Sequence, residues 1–271
     1  EGASRQEVGT LLGRAVRLLG FRQRLGCRQA LVRAAAADAR FRVVGGTARA
    51  GSTALGASLA DGAVIGDDPE AASAGAQVWI DFTSPAATLA ALDAAQARAA
   101  IVGTTGFTPE QETAIVAHGR RIAIVRSNNF SLGVTLLAAL VRQAAEKLGA
   151  GWDIEITEAH HRHKIDAPSG TALLLGEAAA RGRGKSLPEL RLAPRDGAGG
   201  ERREGGIGFS VIRGGGIVGA HDVRFAAERE VVTLSHQALD RAVFADGALA
   251  AALWVADKPP GLYAMNDVLG L

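Results

Sequence analysis

The chain has 271 residues, a net charge of +2, and 48% apolar against 21% charged side chains. This is an ordinary globular mix. It excludes an intrinsically disordered chain, which is polar and strongly charged, and a polybasic arm devoted to nucleic acid. No run of about 18 apolar residues is present, so no membrane-spanning helix is expected, and the length allows one or two domains with an ample core. The single cysteine, Cys27, has no partner for an intramolecular disulfide, which fits a reducing, cytoplasmic setting. Glycine is about twice as common as usual and is spread along the chain, pointing to many tight turns and close backbone approaches.

Residues 1–29 hold six Arg, no Lys and two acids. An Arg-rich, acid-poor start fits a transit peptide or a solvated basic helix. From Ala30 the pattern becomes regular. Ala30–Asp38 reads as a helix, Phe41–Gly46 as a strand ending in glycine, and Val78–Phe82 as a strand bounded by turn residues. Pro85–Ala99 reads as a helix, Ala100–Val102 as a buried strand, Pro109–Gly119 as a helix with proline in its first turn, and Ile122–Val125 as another strand. Strands alternating with helices imply βαβ units and a parallel sheet.

After Ser131 the pattern changes. Leu132–Leu148 is a long amphipathic helix closed by Gly149. Asp153–Glu158 alternates as a strand does, and Thr171–Arg181 is helical. Ile207–Arg213, Ile217–Gly219, Val223–Ala227 and Glu230–Ser235 read as strands, 193–206 as a Gly- and Arg-rich loop, and Arg241–Leu253 as a last helix. The expected fold class is α/β: a nucleotide-type domain over 1–130, to which the tail 241–271 returns, and a smaller α+β domain over 131–240 with an open mixed or antiparallel sheet.

The densest chemical signal is Glu158-Ala-His-His-Arg-His-Lys-Ile-Asp-Ala-Pro-Ser-Gly-Thr171. His160, His161, His163 and Lys164 lie within five residues, between a strand and a helix. Such a cluster can bind an anion and deliver a proton. The helix that starts after Pro168-Ser-Gly-Thr171 offers amide groups and partial positive charge to a carboxylate or phosphate, and Gly170 lets the backbone come close. The sum is a site for a small dicarboxylate beside a proton donor. Three other readings stay open on these residues: a metal site, a solvated basic loop, and a nucleophile at Ser169. An HExxH or spaced Cys/His set is absent, Lys164 sits inside the cluster, and the GxSxG elbow is missing.

These residues closely resemble the signature of the 4-hydroxy-tetrahydrodipicolinate reductase (dihydrodipicolinate reductase) family of lysine and diaminopimelate biosynthesis. Ile80–Pro85, Val102–Phe107, Asn128–Gly133, Gly205–Arg213, His221–Phe225 and Gly261–Leu271 resemble further stretches of it in the same order. The resemblance covers roughly residues 30–271. It implies a Rossmann-like dinucleotide-binding domain, a smaller α+β substrate and tetramerisation domain, and an oxidoreductase using NADPH or NADH. It further implies that His160 is the proton donor, with Lys164 as its partner, and that His161, Gly170 and Thr171 hold a substrate carboxylate. Gly103, Thr104, Thr105, Ser127, Asn128, Asn129 and Phe130 would surround the nicotinamide and its ribose, and no metal is implied. Where the family carries an acidic residue for the adenosine ribose, this chain has Ala48-Arg49, and Arg49 leans toward a 2′-phosphate and so NADPH. A homotetramer joined through substrate-domain sheets and a hinge near Asn129–Ser131 are also implied.

One departure stands upstream. The family opens with a strand running into a glycine-rich turn, whereas Leu19–Gln29 holds only Gly20 and Gly26, with no apolar strand expected before them and only a partial echo at Gly9–Arg14. A frame change in the first 29 codons accounts for this. The rival reading is a non-catalytic dicarboxylate-binding protein with a defective cofactor loop.

Overall fold

Val78–Asp81 and Ala99–Val102 are buried at every position, as strands inside a parallel sheet covered on both faces must be. They belong to the first of two units in the computed structural model, which describes residues 16–19, 25–197 and 200–271. This unit runs to Phe130 and takes in Ala242–Gly270; the second runs from Ser131 to Arg241.

The first unit contains β1 (Val16–Leu19), α1 (Leu25–Ala36), β2 (Phe41–Thr47), β3 (Ile65–Gly66), α2 (Pro69–Ala72), β4 (Val78–Asp81), α3 (Pro85–Ala94), β5 (Ala99–Val102), α4 (Pro109–His118) and β6 (Ala123–Arg126). The second contains α5 (Leu132–Leu148), β7 (Asp153–His160), α6 (Gly170–Gly182), α7 (Leu187–Leu190), β8 (Ile207–Arg213), β9 (Gly219–Ala226) and β10 (Val231–Ala238). The chain then returns to the first unit through α8 (Ala242–Val255), β11 (Gly261–Tyr263) and α9 (Met265–Leu269).

In the first unit the strands are ordered β11-β6-β5-β4-β1-β2-β3, and each neighbouring pair is parallel. The direction of winding reverses between β1 and β4. In an open α/β sheet the crevice beyond the carboxyl ends of the strands at such a reversal is where ligands bind. Trp79, Ala100, Val102, Ile115 and Ile124 form one core layer between this sheet and its helices.

Asp81 closes β4 and is 1% exposed. Its Oδ1 accepts from the Thr83 amide at 2.9 Å and from the hydroxyls of Thr83 and Thr104 at 2.6 and 2.9 Å. The Thr88 hydroxyl lies 3.0 Å from the same oxygen, and the Trp79 indole N–H donates to Oδ2 at 3.3 Å. One carboxylate thus ties the ends of β4 and β5 to the first turn of α3.

In the second unit the sheet order is β10-β9-β7-β8, with β7–β8 parallel and the other pairs antiparallel. β7 alternates between half-buried and buried positions. Its inner face, with Ile154 and Ile156, packs with Leu137 and Val141 of α5, Leu175 and Ala179 of α6, and Val223 and Phe225 of β9. Ser131 caps α5 and Ser169 caps α6, each accepting an amide hydrogen three residues on.

Three expectations need correction. β1 exists, paired with both β2 and β4, so residues 16–19 belong to the sheet despite a short sequence with an internal Arg. Residues 1–15 and 20–24, with the Gly9–Arg14 echo and Gly20, lie outside the described residues, while Gly26 falls inside α1. α3 stops at Ala94 rather than Ala99, because Ala95 turns extended to lead into β5; alanine repeats carry no stop signal. Ile217–Gly219 and Val223–Ala227 are not two strands: β9 is continuous from Gly219, and the glycines at 214–216 make the turn before it.

Replacing Asp81 with Ala strands several donors in the core. Asp81→Ala is expected to lower stability by about 3 kcal/mol, while Asp67→Ala, at an exposed position, changes it by under about 0.5 kcal/mol. Urea denaturation of the two variants checks this; equal midpoints would overturn it.

Candidate active site

β7 continues two residues past Glu158, and this fixes the geometry of the signature. In a strand, residues i and i+2 share a face, so Glu158 and His160 both point inward. Their ring-to-carboxylate contact, His160 Nδ1 to Glu158 Oε2, is 2.6 Å. Glu158 is fully buried. Arg213, paired across from His160 on β8, reaches both carboxylate oxygens at 2.8 Å. The Ser169 amide donates to Oε1 at 2.9 Å. Burial pushes the Glu158 carboxyl up, but the bonds from Arg213, His160 and Ser169 outweigh it and hold the group below its usual range.

His221 sits opposite Glu158 on β9. Its ring is edge-on to that of His160, with centroids 5.1 Å apart, and its Nε2 is 3.2 Å from the Ser169 hydroxyl. Burial first, and repulsion from His160 next, push its pKa down to about 4, so His221 is neutral near pH 7. The backbone beside His160 is Gly219, where a Cβ would stand 3.1 Å from His160 Nε2.

Past His160 the chain turns. The His161 Nε2 accepts from the Arg241 guanidinium at 2.9 Å. Desolvation, followed by the positive charges of Arg241, His163, His160 and Lys164, lowers the His161 pKa. His163 is exposed, its ring 6.3 Å from that of His161. The Lys164 ammonium rests on Asp166, at 2.7 and 2.8 Å from its two oxygens. Gly170 and Thr171 form the opening turn of α6, directly after Ser169, and are therefore tied to His160 through Ser169 and Glu158. Among the described residues no group of three or more His, Cys, Asp or Glu side chains is placed to hold a metal ion.

The remaining candidates lie at the carboxyl edge of the first sheet. Gly103, Thr104 and Thr105 follow β5, Ser127–Phe130 follow β6, and Arg49 follows β2. A Cβ on Gly103 would come 2.1 Å from the Phe82 ring, which stands edge-on to Phe130 at 5.3 Å. Thr104 is fully buried, its hydroxyl held by Asp81, so only its main chain is available to a ligand. Thr105 is exposed. The Ser127 hydroxyl donates to the Asn129 carbonyl at 2.6 Å and shapes that turn. Phe130 is buried; Asn128 and Arg49 are exposed.

Sequence reasoning assigned no role to Glu158, Arg213, His221 or Arg241. Arg213 and His221 were accessible only through pairing: each lies on a strand adjacent to β7, in register with His160 and Glu158 respectively.

Comparison with known proteins agrees with this layout. Residues 15–130 match a family profile described as dihydrodipicolinate reductase, N-terminus, and residues 133–269 match its C-terminal counterpart. The match thus begins upstream of Ala30, where the resemblance was read to start. The chain is 57% identical over 239 residues to a 4-hydroxy-tetrahydrodipicolinate reductase of Dinoroseobacter shibae, covering 85% of this chain and 89% of that one. It is 51% identical over 265 residues to one of Allorhizobium ampelinum, covering 94% and 97%. Among solved structures, a dipicolinate-bound dihydrodipicolinate reductase from Paenisporosarcina sp. TG-14 shares the fold, with a TM-score of 0.75, 22% identity, and coverage of 92% and 97%. On these matches, which span both units, the chain belongs to the dihydrodipicolinate reductase family.

Proposed function

We propose that the chain reduces 4-hydroxy-tetrahydrodipicolinate to tetrahydrodipicolinate with NADPH or NADH, in lysine and diaminopimelate biosynthesis. The observation that carries this reading is the buried Glu158–His160 pair beside the opening turn of α6, in a chain whose relatives bear that activity in their names. The balance of the reaction defines the need. The 4-hydroxyl is replaced by hydrogen, so one hydride enters, and one proton accompanies the oxygen that leaves as water. The dinucleotide supplies the hydride.

This chain's own residues supply the rest. His160, its Nδ1 engaged by Glu158, exchanges its proton at Nε2. Lys164 adds positive charge near the developing anion. Its pair with the exposed Asp166 is of a kind worth at most about 1 kcal/mol, so the ammonium can transfer at little cost. His161, Gly170 and Thr171 take a substrate carboxylate, and Arg241, bonded to His161, adds a guanidinium there. The main chain of Gly103–Thr105 and the 127–130 turn fit the nicotinamide end of the dinucleotide, because they follow adjacent strands at the carboxyl edge of the sheet. Arg49, exposed at the end of β2, fits a 2′-phosphate. The chain crosses between units at 130–131 and 241–242, and the first crossing falls within the hinge implied at Asn129–Ser131.

The non-catalytic alternative rested on the missing glycine-rich turn, which lies outside the described residues; relatives matched over most of their length and named as reductases favour the catalytic reading. The single cysteine favours a cytoplasmic setting, and among the described residues no helix is long and apolar enough to cross a membrane. Val211 and Ile212 of β8 and Val231 and Val232 of β10 are large apolar side chains left exposed. They support a homotetramer joined through these sheets. Sedimentation velocity is expected to give a tetramer, and a monomer at micromolar concentration would overturn it.

Steady-state kinetics separate the site roles. His160→Gln is expected to lower kcat by at least about 10²-fold, with little change in KM for dinucleotide. Thr171→Ala is expected to raise KM for substrate, at a cost of about 1–3 kcal/mol for a charge-assisted bond. An unchanged kcat in the first variant, or a pure kcat defect in the second, contradicts the assignment. Arg49→Glu is expected to weaken NADPH by at least about tenfold, by loss of one charge-assisted phosphate contact, and to spare NADH. Fluorescence titration with both dinucleotides reads this, and equal losses for both would remove Arg49 from the 2′-phosphate.

A further inference from the structure

We propose that Glu158 is a positioning residue: it fixes the proton of the His160 ring on Nδ1, so that Nε2 alone exchanges with substrate, and it holds that ring at a set distance from the first turn of α6. The proposal rests on the reading of His160 as the proton donor.

The geometry is a closed count. A carboxylate offers about four acceptor positions and no donor. At Glu158 the four are taken: Oε2 by His160 Nδ1 and Arg213 Nη1, Oε1 by the Ser169 amide and Arg213 Nη2. Every partner other than the imidazole is a fixed donor, and the group is held in its charged form. An imidazole nitrogen 2.6 Å from such an oxygen must carry hydrogen. Nδ1–H is therefore present in both the neutral ring and the imidazolium, and only Nε2 changes state. On that side lies Gly219, where any Cβ would stand 3.1 Å from Nε2 and crowd the exchanging nitrogen.

The other oxygen does a second job. Ser169, whose amide it accepts, immediately precedes Gly170 and Thr171. One rigid group therefore spans the proton donor and the carboxylate-binding turn. Arg213 keeps that group from rotating: its guanidinium meets both oxygens and also donates to the Asp166 carbonyl at 2.6 Å and the Lys164 carbonyl at 3.3 Å, which fixes the intervening loop. Alternative hydrogen bonding for the His160 Nδ1 proton would require breaking this fork.

Glu158→Gln tests the proposal in the full-length chain. The amide keeps the shape but presents one acceptor and one donor group to four donors. Two readouts are needed: the ring ¹⁵N signals of His160, assigned by their loss in His160→Gln, and steady-state kinetics with NADPH. In the wild type the signals should report Nδ1–H with a bare Nε2 in the neutral ring. In Glu158→Gln they should become mixed or reversed, and kcat should fall by at least about 10²-fold, within the roughly 10⁴-fold cost of losing the carboxylate that sets a histidine tautomer in a catalytic triad, with KM for NADPH within about twofold.

Unchanged ring signals with unchanged kcat, while His160→Gln is inactive, overturn the positioning role and leave the reductase reading intact. A changed tautomer with wild-type kcat in both variants shows that Glu158 sets the ring but that His160 is not the donor. If Glu158→Gln does not fold, Glu158→Asp retains the charge for Arg213 but is too short to meet His160 and Ser169 together. It should show the same two changes to a lesser degree, and wild-type values in both would overturn the proposal.

Discussion

Removing a carboxylate from water costs several kcal/mol unless donors meet it on every side, and at Glu158 that demand organises the second unit. Its donors come from β7, from β8 and from the residue that caps α6. Satisfying one charge therefore brings three separate segments to fixed positions. The His160 ring, the opening turn of α6 and the loop carrying Lys164 are all arranged around it. Apolar packing of β7 against α5 and α6 supplies the bulk of the core, but is non-directional; the orientation of the site comes from the polar bonds.

Asp81 plays a comparable part in the first unit. It stands at the end of β4, beside the reversal of strand order, and gathers the Thr83 amide and the hydroxyls of Thr83 and Thr104. Each candidate edge is thus built over a buried carboxylate in the carboxyl-terminal part of a strand. The residues at the surface above, Thr105 and Asn128 among them, are exposed and can meet a ligand because the layer beneath is fully bonded. Thr104 shows the division within one residue: its hydroxyl belongs to the scaffold and its main chain to the edge.

Much of this was legible from residue order. The runs at Val78–Phe82 and Ala100–Val102 marked strands, the amphipathic period marked α5 to the residue, and the signature marked the segment that folds around Glu158. What could not be read depended on distant pairing. His221 is 52 residues from Ser169 and Arg213 is 55 from Glu158, and nothing near either in sequence announces the contact. β1 is only four residues long and includes an Arg; its place is set by the strands on either side, not by its own pattern. The end of α3 was missed for a different reason, since an alanine repeat favours helix without saying where to stop.

The Gly- and Arg-rich stretch between Leu192 and Ile207 looks in sequence like a loose connection, but its two ends are pinned. The Leu192 amide bonds to the Ile207 carbonyl at 2.9 Å. Arg202 meets Asp153 at 2.6 Å, Glu155 at 3.0 Å and the Ile154 carbonyl at 2.9 Å, while Arg183 donates to the carbonyls of Gly149, Trp152 and Gly205. Among the described residues, those between the anchors carry no part of the proposed site. Because closing a loop twice as long costs only about 0.6 kcal/mol, this segment is free to lengthen, shorten or change composition over evolutionary time. It is also where an inserted tag or a single proteolytic cut would leave both flanks of β7 and β8 in place, so that the chemistry and the connectivity of this unit are separable.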